Sequence, residues 1–166
     1  IVCCPNSVVE GWEHAIGVSF PKTLVQTKTF TPIWGQEADD TLGLGMGERD
    51  ISSHYLILNY EAFQMPDSTK LVQALIEREQ VDCVIIDEIH YAKQRKTEDM
   101  SRRRKNVAML ITLAAERNAR LCVLGMSATP VINNLQEGKS MIELVTGVAH
   151  DDLDIRPTLA NCIALH

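Results

Sequence analysis

The feature that most constrains the fold of this chain is a series of short runs that are apolar throughout. The runs are rich in valine, isoleucine, leucine and cysteine, and they do not alternate with polar residues. This pattern is typical of strands that are buried on both faces of a parallel sheet. We predict five such strands, at Ile1–Cys4, Thr23–Thr27, Tyr55–Leu58, Val81–Ile86 and Arg120–Met126.

Segments with helical periodicity separate these runs. Ser7 and Glu10 have the spacing of a capping box, which predicts a helix that begins at Ser7. Further helices are predicted to begin near Ser68, to cover Val107–Ala114, and to end before Gly147 as a glycine cap. Strands that alternate with helices indicate an α/β domain built from crossover connections.

The composition of the 166 residues is that of an ordinary globular domain. The net charge of −6 argues against a protein that coats nucleic acid through bulk positive charge, so nucleic-acid contacts should be local. No apolar run is long enough for a membrane span, and we expect no membrane partner. The five cysteines lack C-x-x-C spacing, which predicts free thiols in a reducing compartment: the cytoplasm of a microbe, or the nucleus of a eukaryote.

Two adjacent acids follow the predicted strand Val81–Ile86. Asp87 and Glu88 therefore lie at the carboxyl end of a buried strand, where open α/β sheets bind their ligands. Two carboxylates at such a place favour a cation, because uncompensated buried charge is costly. In a nucleotide hydrolase one acid holds Mg²⁺ and its neighbour activates the attacking water. His90, two residues further on, could report the state of this site to a neighbouring element.

A second polar segment follows the strand Arg120–Met126. Ser127 and Thr129 are small hydroxyl donors within reach of a neighbouring strand end, and Pro130 stops the strand. Taken alone, each segment could be an ordinary strand end that leads into solvent or into a helix. In this order, and about 40 residues apart, the two segments form a specific combination.

Both segments resemble motifs of a known family. The letters D-E-I-H, followed by S-A-T-P-x-x-N-N-L-x-E, resemble motifs two and three of helicase superfamily two, and N-N-L-x-E is typical of its Swi/Snf-type branch. The stretch IVCCPNSVVEGWEHAI resembles motif Ia, and YLILNYEAF resembles motif Ib. Motif two here is DEAH-box-like. The resemblance covers about residues 1–148 in the order of the family.

The resemblance implies roles for the residues that match the motifs. It implies that Asp87 holds Mg²⁺ and that Glu88 is the catalytic carboxylate. His90 would belong to the same catalytic group and, with Ser127 and Thr129, would couple hydrolysis to movement. Residues near the DNA backbone track would be Pro5, Asn6, Ser7, Asn59 and Tyr60. For Ser7 and Tyr60 two interpretations stay open, since Ser7 could only cap its helix and Tyr60 could only pack.

The family also implies a fold and an activity. The fold would be a three-layer, RecA-like domain of the P-loop NTPase type with a mainly parallel sheet, here partial. Residues 1–148 would be part of an N-terminal helicase ATP-binding lobe, and residues 149–166 would lead to the next part of the motor. The activity would be hydrolysis of ATP with Mg²⁺, coupled to translocation along duplex DNA. A second RecA-like lobe of the same chain would complete the site.

Several features depart from the family pattern or leave alternatives. Motif three reads S-A-T, Gly138 stands where the Swi/Snf-type branch often has leucine, and the region after His90 is long, which favours a microbial relative. The biological setting could be remodelling, repair or a restriction-like system. A different class of function is a non-catalytic module that binds DNA or protein, against which the intact acid pair argues.

A phosphate-binding loop is not found among these residues. The glycine-rich stretch Ala38–Asp50 has Met46–Gly47 where a lysine and a hydroxyl would be required, and Gly138–Ser140 is a chance G-K-S. We expect the loop upstream of Ile1 and the second lobe downstream of His166. The 166-residue chain alone is therefore expected not to hydrolyse ATP.

The basic run Lys93–Lys105 has two interpretations. It could contact phosphate or a partner surface, with a strong dependence on salt. It could also be a solvated, mobile insertion that leads into the helix at Asn106, which its two acids and its lack of aromatic residues slightly favour.

Overall fold

The fold is described from a computed structural model, which covers residues 1–27, 53–93, 100–128 and 134–165. Thr129 and the glycine-rich stretch Ala38–Asp50 lie outside the described residues. In chain order the described strands are β1 (Val2–Cys4), β2 (Thr23–Thr27), β3 (Ser53–Asn59), β4 (Cys83–Ile86) and β5 (Cys122–Gly125). The described helices are α1 (Val9–Ser19), α2 (Ser68–Arg78), α3 (Arg102–Arg117), α4 (Leu135–Thr146) and α5 (Leu159–Leu165).

The five described strands form one sheet in the order β2-β3-β1-β4-β5, and every neighbouring pair is parallel. Parallel neighbours require long connections, and helix α3 supplies the one between β4 and β5. This confirms the predicted α/β fold with a parallel sheet, consistent with a partial RecA-like domain.

The two faces of the sheet are covered by different layers. Side chains of a strand alternate between faces, so in β1 Cys3 faces one cluster while Val2 and Cys4 face another. The larger cluster also takes apolar residues from α2, α3 and α4, whereas the smaller cluster takes Ile16 and Trp12 from α1. The sheet therefore lies between two helical layers.

Strand β5 differs from the prediction that it is buried on both faces. It lies at an edge of the described sheet, where Leu124 is 46% exposed and Cys122 is also exposed. A continuous apolar run shows that a strand is rich in β-branched and aliphatic residues. It does not show whether the strand lies in the centre of the sheet or at its edge. The central strand β1 is fully buried, and burial raises the pKa of the Cys3 thiol to about 12, so this thiol stays protonated.

The first helix begins later than predicted. A single 3-10 turn at Asn6–Val8 precedes α1, the residue before α1 makes no side-chain cap, and Ser7 is exposed. The predicted capping box is therefore wrong, because the 3-10 turn satisfies a backbone amide internally: Val8 N donates to Pro5 O at 3.1 Å. At the other end of the fold the predicted glycine cap is confirmed, since Gly147 has a φ of 68° after α4.

Helix α3 is longer than the predicted Val107–Ala114. It starts at Arg102 because Ser101 caps it, the Ser101 hydroxyl accepting from Arg104 N at 3.2 Å. Across the described residues, no helix is both long and apolar enough to cross a membrane.

Candidate active site

The parallel arrangement brings the carboxyl ends of four strands to the same end of the sheet, which we call its carboxyl edge. In the register, Cys4 of β1 lies opposite Asn59 of β3, and Ile86 of β4 lies opposite Gly125 of β5. The residues that follow these positions include most of the predicted site residues. The structure therefore brings together segments that are far apart in the sequence.

Asp87 is held by three hydrogen bonds from three different elements. Its backbone N–H donates to Cys3 O at 2.8 Å, and its backbone carbonyl accepts from the Tyr60 hydroxyl at 2.7 Å. Its carboxylate atom Oδ2 accepts from the indole Nε1–H of Trp12 at 2.8 Å. Main chain and side chain of Asp87 are thus both fixed at the edge of the sheet.

Glu88 has a strained backbone conformation. Its φ of 49° and ψ of 54° lie in the left-handed region, and among the described non-glycine residues it is the only one with positive φ. A glutamate in this region costs about 1–2 kcal/mol relative to the right-handed region. Such strain is concentrated at functional sites, and here it turns the chain from β4 into the 3-10 turn Ile89–Ala92.

The Glu88 carboxylate lies beside His90. Its buried atom Oε2 has no hydrogen-bond partner among the described residues, and the His90 Nδ1 lies 3.1 Å away without hydrogen-bond alignment. The same Nδ1 lies 3.3 Å from the Ser127 hydroxyl. His90 therefore lies between Glu88 and the segment after β5. The family resemblance implies that His90 and Ser127 of this segment couple hydrolysis to movement. Thr129, the other predicted coupling residue, lies outside the described residues.

The five residues predicted near DNA lie together but differ in exposure. Asn6 and Ser7 are exposed, and Asn59 donates from Nδ2 to Asn6 Oδ1 at 3.0 Å. Pro5 is buried, and so is the ring of Tyr60. Because the Tyr60 hydroxyl is already bonded to the Asp87 backbone, its side chain packs inside the fold. Contact with DNA stays a prediction for all five residues.

Tyr60 forms a stack with Tyr91 and the guanidinium of Arg103. The ring centres of Tyr60 and Tyr91 are 5.5 Å apart, and the rings are stacked and nearly parallel, at 5°. The guanidinium of Arg103 lies 5.4 Å from the Tyr60 ring centre and donates to the Tyr91 backbone carbonyl at 3.1 Å. Sequence reasoning missed this stack, because nothing in the local pattern around Tyr91 indicates a partner in a later helix.

The described part of the basic run bears on both of its interpretations. Arg102, Arg103 and Arg104 form the first turn of α3 and each bonds a backbone carbonyl, of Gln64, Tyr91 and Ala92 respectively. A mobile insertion is therefore wrong for these three residues. A role as a simple surface for phosphate is weakened as well, because Arg104 is buried. Residues 94–99 of the run lie outside the described residues.

Arg104 gives a first testable prediction. Its bond to Ala92 O is long, at 3.4 Å, its buried Nε has no partner among the described residues, and burial lowers its pKa to about 10. The cost of burying this charge is fully present below about pH 10 and decreases only as pH rises above it. We expect Arg104→Met to leave the free energy of unfolding unchanged or to raise it by about 1–2 kcal/mol at neutral pH.

Urea denaturation at neutral pH measures this effect, and Arg102→Met is the matched control. Arg102 is exposed, so its replacement should change the free energy of unfolding by no more than about 0.5 kcal/mol. A loss above about 1 kcal/mol for Arg104→Met would show that the buried guanidinium stabilises the fold.

A buried ion pair connects the segment after the acids with helix α4. The Lys93 ammonium donates to Glu137 Oε2 at 2.9 Å, and the two side chains are 9% and 2% exposed. Lys93 follows the 3-10 turn Ile89–Ala92, whereas Glu137 lies in the first turn of α4. The sequence contained Glu137 in the motif-three segment but offered no signal that its partner is Lys93.

The residues at this edge fit a magnesium ion that is shared with a nucleotide. No cluster of three or more histidine, cysteine, aspartate or glutamate side chains occurs in the described ranges, so a metal held by protein ligands alone is not indicated there. Mg²⁺ commonly binds through one or two carboxylates together with substrate phosphates and water. The paired acids and the buried, unpartnered Glu88 Oε2 suit that arrangement.

Comparison with known proteins agrees with the fold. Residues 6–132 match the family model described as type III restriction enzyme, res subunit, a family of N-terminal motor domains within helicase superfamily two. The match covers most of the chain, and the chain belongs to this family. Members of this family are ATP-dependent, helicase-like motors of the restriction type. They generally use ATP and Mg²⁺ and bind nucleic acid. No curated protein matches the chain.

Proposed function

We propose that this chain is part of a motor that hydrolyses ATP with Mg²⁺ and uses the energy to move along duplex DNA, in the manner of Swi/Snf-type translocases. The observation that carries the proposal is the placement of Asp87 and Glu88 at the carboxyl edge of the parallel sheet, beside the His90–Ser127 contact at 3.3 Å. Family membership supports the ATPase part of the proposal.

Each residue of the edge has a distinct proposed role. Asp87 holds Mg²⁺, which would neutralise charge on the phosphates during transfer. Glu88 orients and deprotonates the attacking water, and its Oε2, which accepts no hydrogen bond within the described residues, is the acceptor for that proton. His90 contacts both Glu88 and Ser127, so a change at the acids would alter the segment after β5, which includes Thr129.

The proposed DNA-facing residues are Asn6 and Ser7. The buried Asn59 supports them through its hydrogen bond to Asn6, and the buried Pro5 and Tyr60 lie beside them. Exposure of Asn6 and Ser7 at the start of a 3-10 turn leaves polar groups available for phosphate. Tyr60, which is adjacent to Asn59, donates a hydrogen bond to the Asp87 carbonyl, so the DNA track and the hydrolytic site would be neighbours.

Residues 1–148 are proposed to form part of the N-terminal ATP-binding lobe, and residues 149–166 to lead to a second RecA-like lobe. Strand β5 supports the first part of this proposal, because its exposed apolar residues lie at an edge of the described sheet. An exposed apolar edge suits pairing with a further strand, such as one that carries a phosphate-binding loop.

A restriction-type setting is favoured by the family match, since the matching family is named for the res subunit of type III restriction enzymes. A non-catalytic module that binds DNA or protein is the second candidate. Against it stands the strained backbone of Glu88, which a purely binding module would have no chemical reason to retain.

The test is the ATPase rate of the full-length protein with no nucleic acid, with duplex DNA and with single-stranded DNA. We expect duplex DNA to stimulate turnover more than single strands of equal length do. A triplex-displacement assay then measures translocation, because a motor that moves along duplex DNA displaces a third strand bound in its path. Absence of ATP turnover under every condition would favour the non-catalytic module.

A further inference from the structure

We infer that Trp12 is a positioning residue for the metal-binding carboxylate of Asp87, an inference that rests on the proposed function. The indole Nε1–H donates to Asp87 Oδ2 at 2.8 Å, across 75 positions of sequence. Within the described part of the chain, this is the hydrogen bond made by the carboxylate itself, because the other two bonds of Asp87 involve its backbone.

The indole is itself held in place by the fold. Trp12 lies on α1 and packs against the cluster of Val2, Cys4, Ile16 and Ile57, which covers one face of the sheet. An aromatic ring has only two side-chain torsions, so this packing fixes the direction of its N–H at small entropic cost. The donor is therefore pre-organised before any ligand binds.

The bond determines which carboxylate oxygen is available. With Oδ2 engaged by the indole, Oδ1 is the oxygen left for a metal ion or its bound water, and the bond restrains rotation of the carboxylate. Hydrogen-bond partners of this kind orient metal ligands, and their loss typically lowers metal affinity or activity about 10–100-fold. Tyr60 fixes the carbonyl of the same residue, so Trp12 controls the side chain and Tyr60 controls the main chain.

The test removes the hydrogen-bond donor of Trp12, and the first variant does so without changing the shape of the ring. In the full-length protein, Trp12 is replaced by β-(3-benzothienyl)alanine, in which sulfur stands for the indole N–H, and in a second variant by phenylalanine. The free Mg²⁺ concentration required for half-maximal ATP turnover should rise about tenfold or more in both variants. At saturating Mg²⁺ the turnover number should recover to within about threefold of wild type, which separates positioning from loss of folding.

A second readout follows the indole directly. In protein labelled with 5-fluorotryptophan, the fluorine resonance that is missing from Trp12→Phe belongs to Trp12. It should shift in a saturable way when Mg²⁺ is added to the ADP-bound protein, and not when the same concentration of Na⁺ is added. Ile16→Val is the packing control, because Ile16 lies in the same cluster and makes no bond to Asp87. Its Mg²⁺ requirement should match that of wild type.

The outcomes separate this inference from the proposed function. A benzothienylalanine variant whose Mg²⁺ requirement lies within twofold of wild type would overturn the role of Trp12 alone. A wild-type protein that shows no Mg²⁺-dependent turnover and no Mg²⁺-dependent shift would overturn the proposed function and this inference together.

Discussion

Glu88→Gln is expected to lower the DNA-stimulated ATP turnover of the full-length protein about 10²–10⁴-fold, the usual contribution of a general base. Glutamine keeps the length and polarity of the side chain but cannot accept the proton of the attacking water. The KM for ATP should change only a few-fold, since binding of the phosphates does not depend on this proton transfer. Steady-state ATPase assays with saturating duplex DNA measure both constants.

Two comparisons make this result specific. Glu77→Gln makes the same chemical change at an exposed position of α2 and should leave turnover unchanged. The thermal midpoint of Glu88→Gln should stay near that of wild type, because the strained φ of 49° is retained by glutamine. Turnover above about a tenth of wild type would contradict the assignment of Glu88 as the base.

Breaking the ion pair of Lys93 and Glu137 is the second large effect that we expect. Lys93→Met and Glu137→Leu should each lower the free energy of unfolding by about 3–5 kcal/mol, because each removes the ion-pair partner of a charge in a buried position. The double variant should recover most of this loss, since two apolar side chains of similar volume remove both charges at once. Urea denaturation of the four proteins gives the coupling free energy of the pair.

An exposed pair of the same chemistry provides the control. Lys70 and Asp67 are 4.0 Å apart and 84% and 75% exposed, so Lys70→Met should cost no more than about 0.5 kcal/mol. Single variants of the buried pair that lose less than about 1 kcal/mol would show that water reaches the pair. The double variant also allows an ATPase measurement in a stable protein, which tests whether this connection between Lys93 and α4 matters for turnover.

Much of the fold could be predicted because its signals are local. The five predicted strands all occur within two residues of their predicted ends, since each is marked by a continuous apolar run. The cap at Gly147 could be predicted for the same reason, because a left-handed residue after a helix strongly favours glycine. The start of α1 could not, because a 3-10 turn replaced the side-chain cap that Ser7 and Glu10 suggested.

The two acids of the candidate site could be predicted from the sequence, but the residues that hold them in position could not. Asp87 and Glu88 were visible as adjacent carboxylates after an apolar strand. Their partners come from other elements: Trp12 from α1, and Ser127, through His90, from the segment after β5. No local pattern encodes such pairs, because they depend on how the layers pack.

By itself, then, the sequence determined the alternation of strands and helices, the acid pair and the membership of helicase superfamily two, because these depend on residues that are near each other along the chain. Only the tertiary structure decided that Arg104 is buried, that Lys93 pairs with Glu137 and that an indole holds the Asp87 carboxylate. The physical reason is that hydrogen bonds and ion pairs require distances of about 3 Å, and only the packed layers bring such distant residues that close.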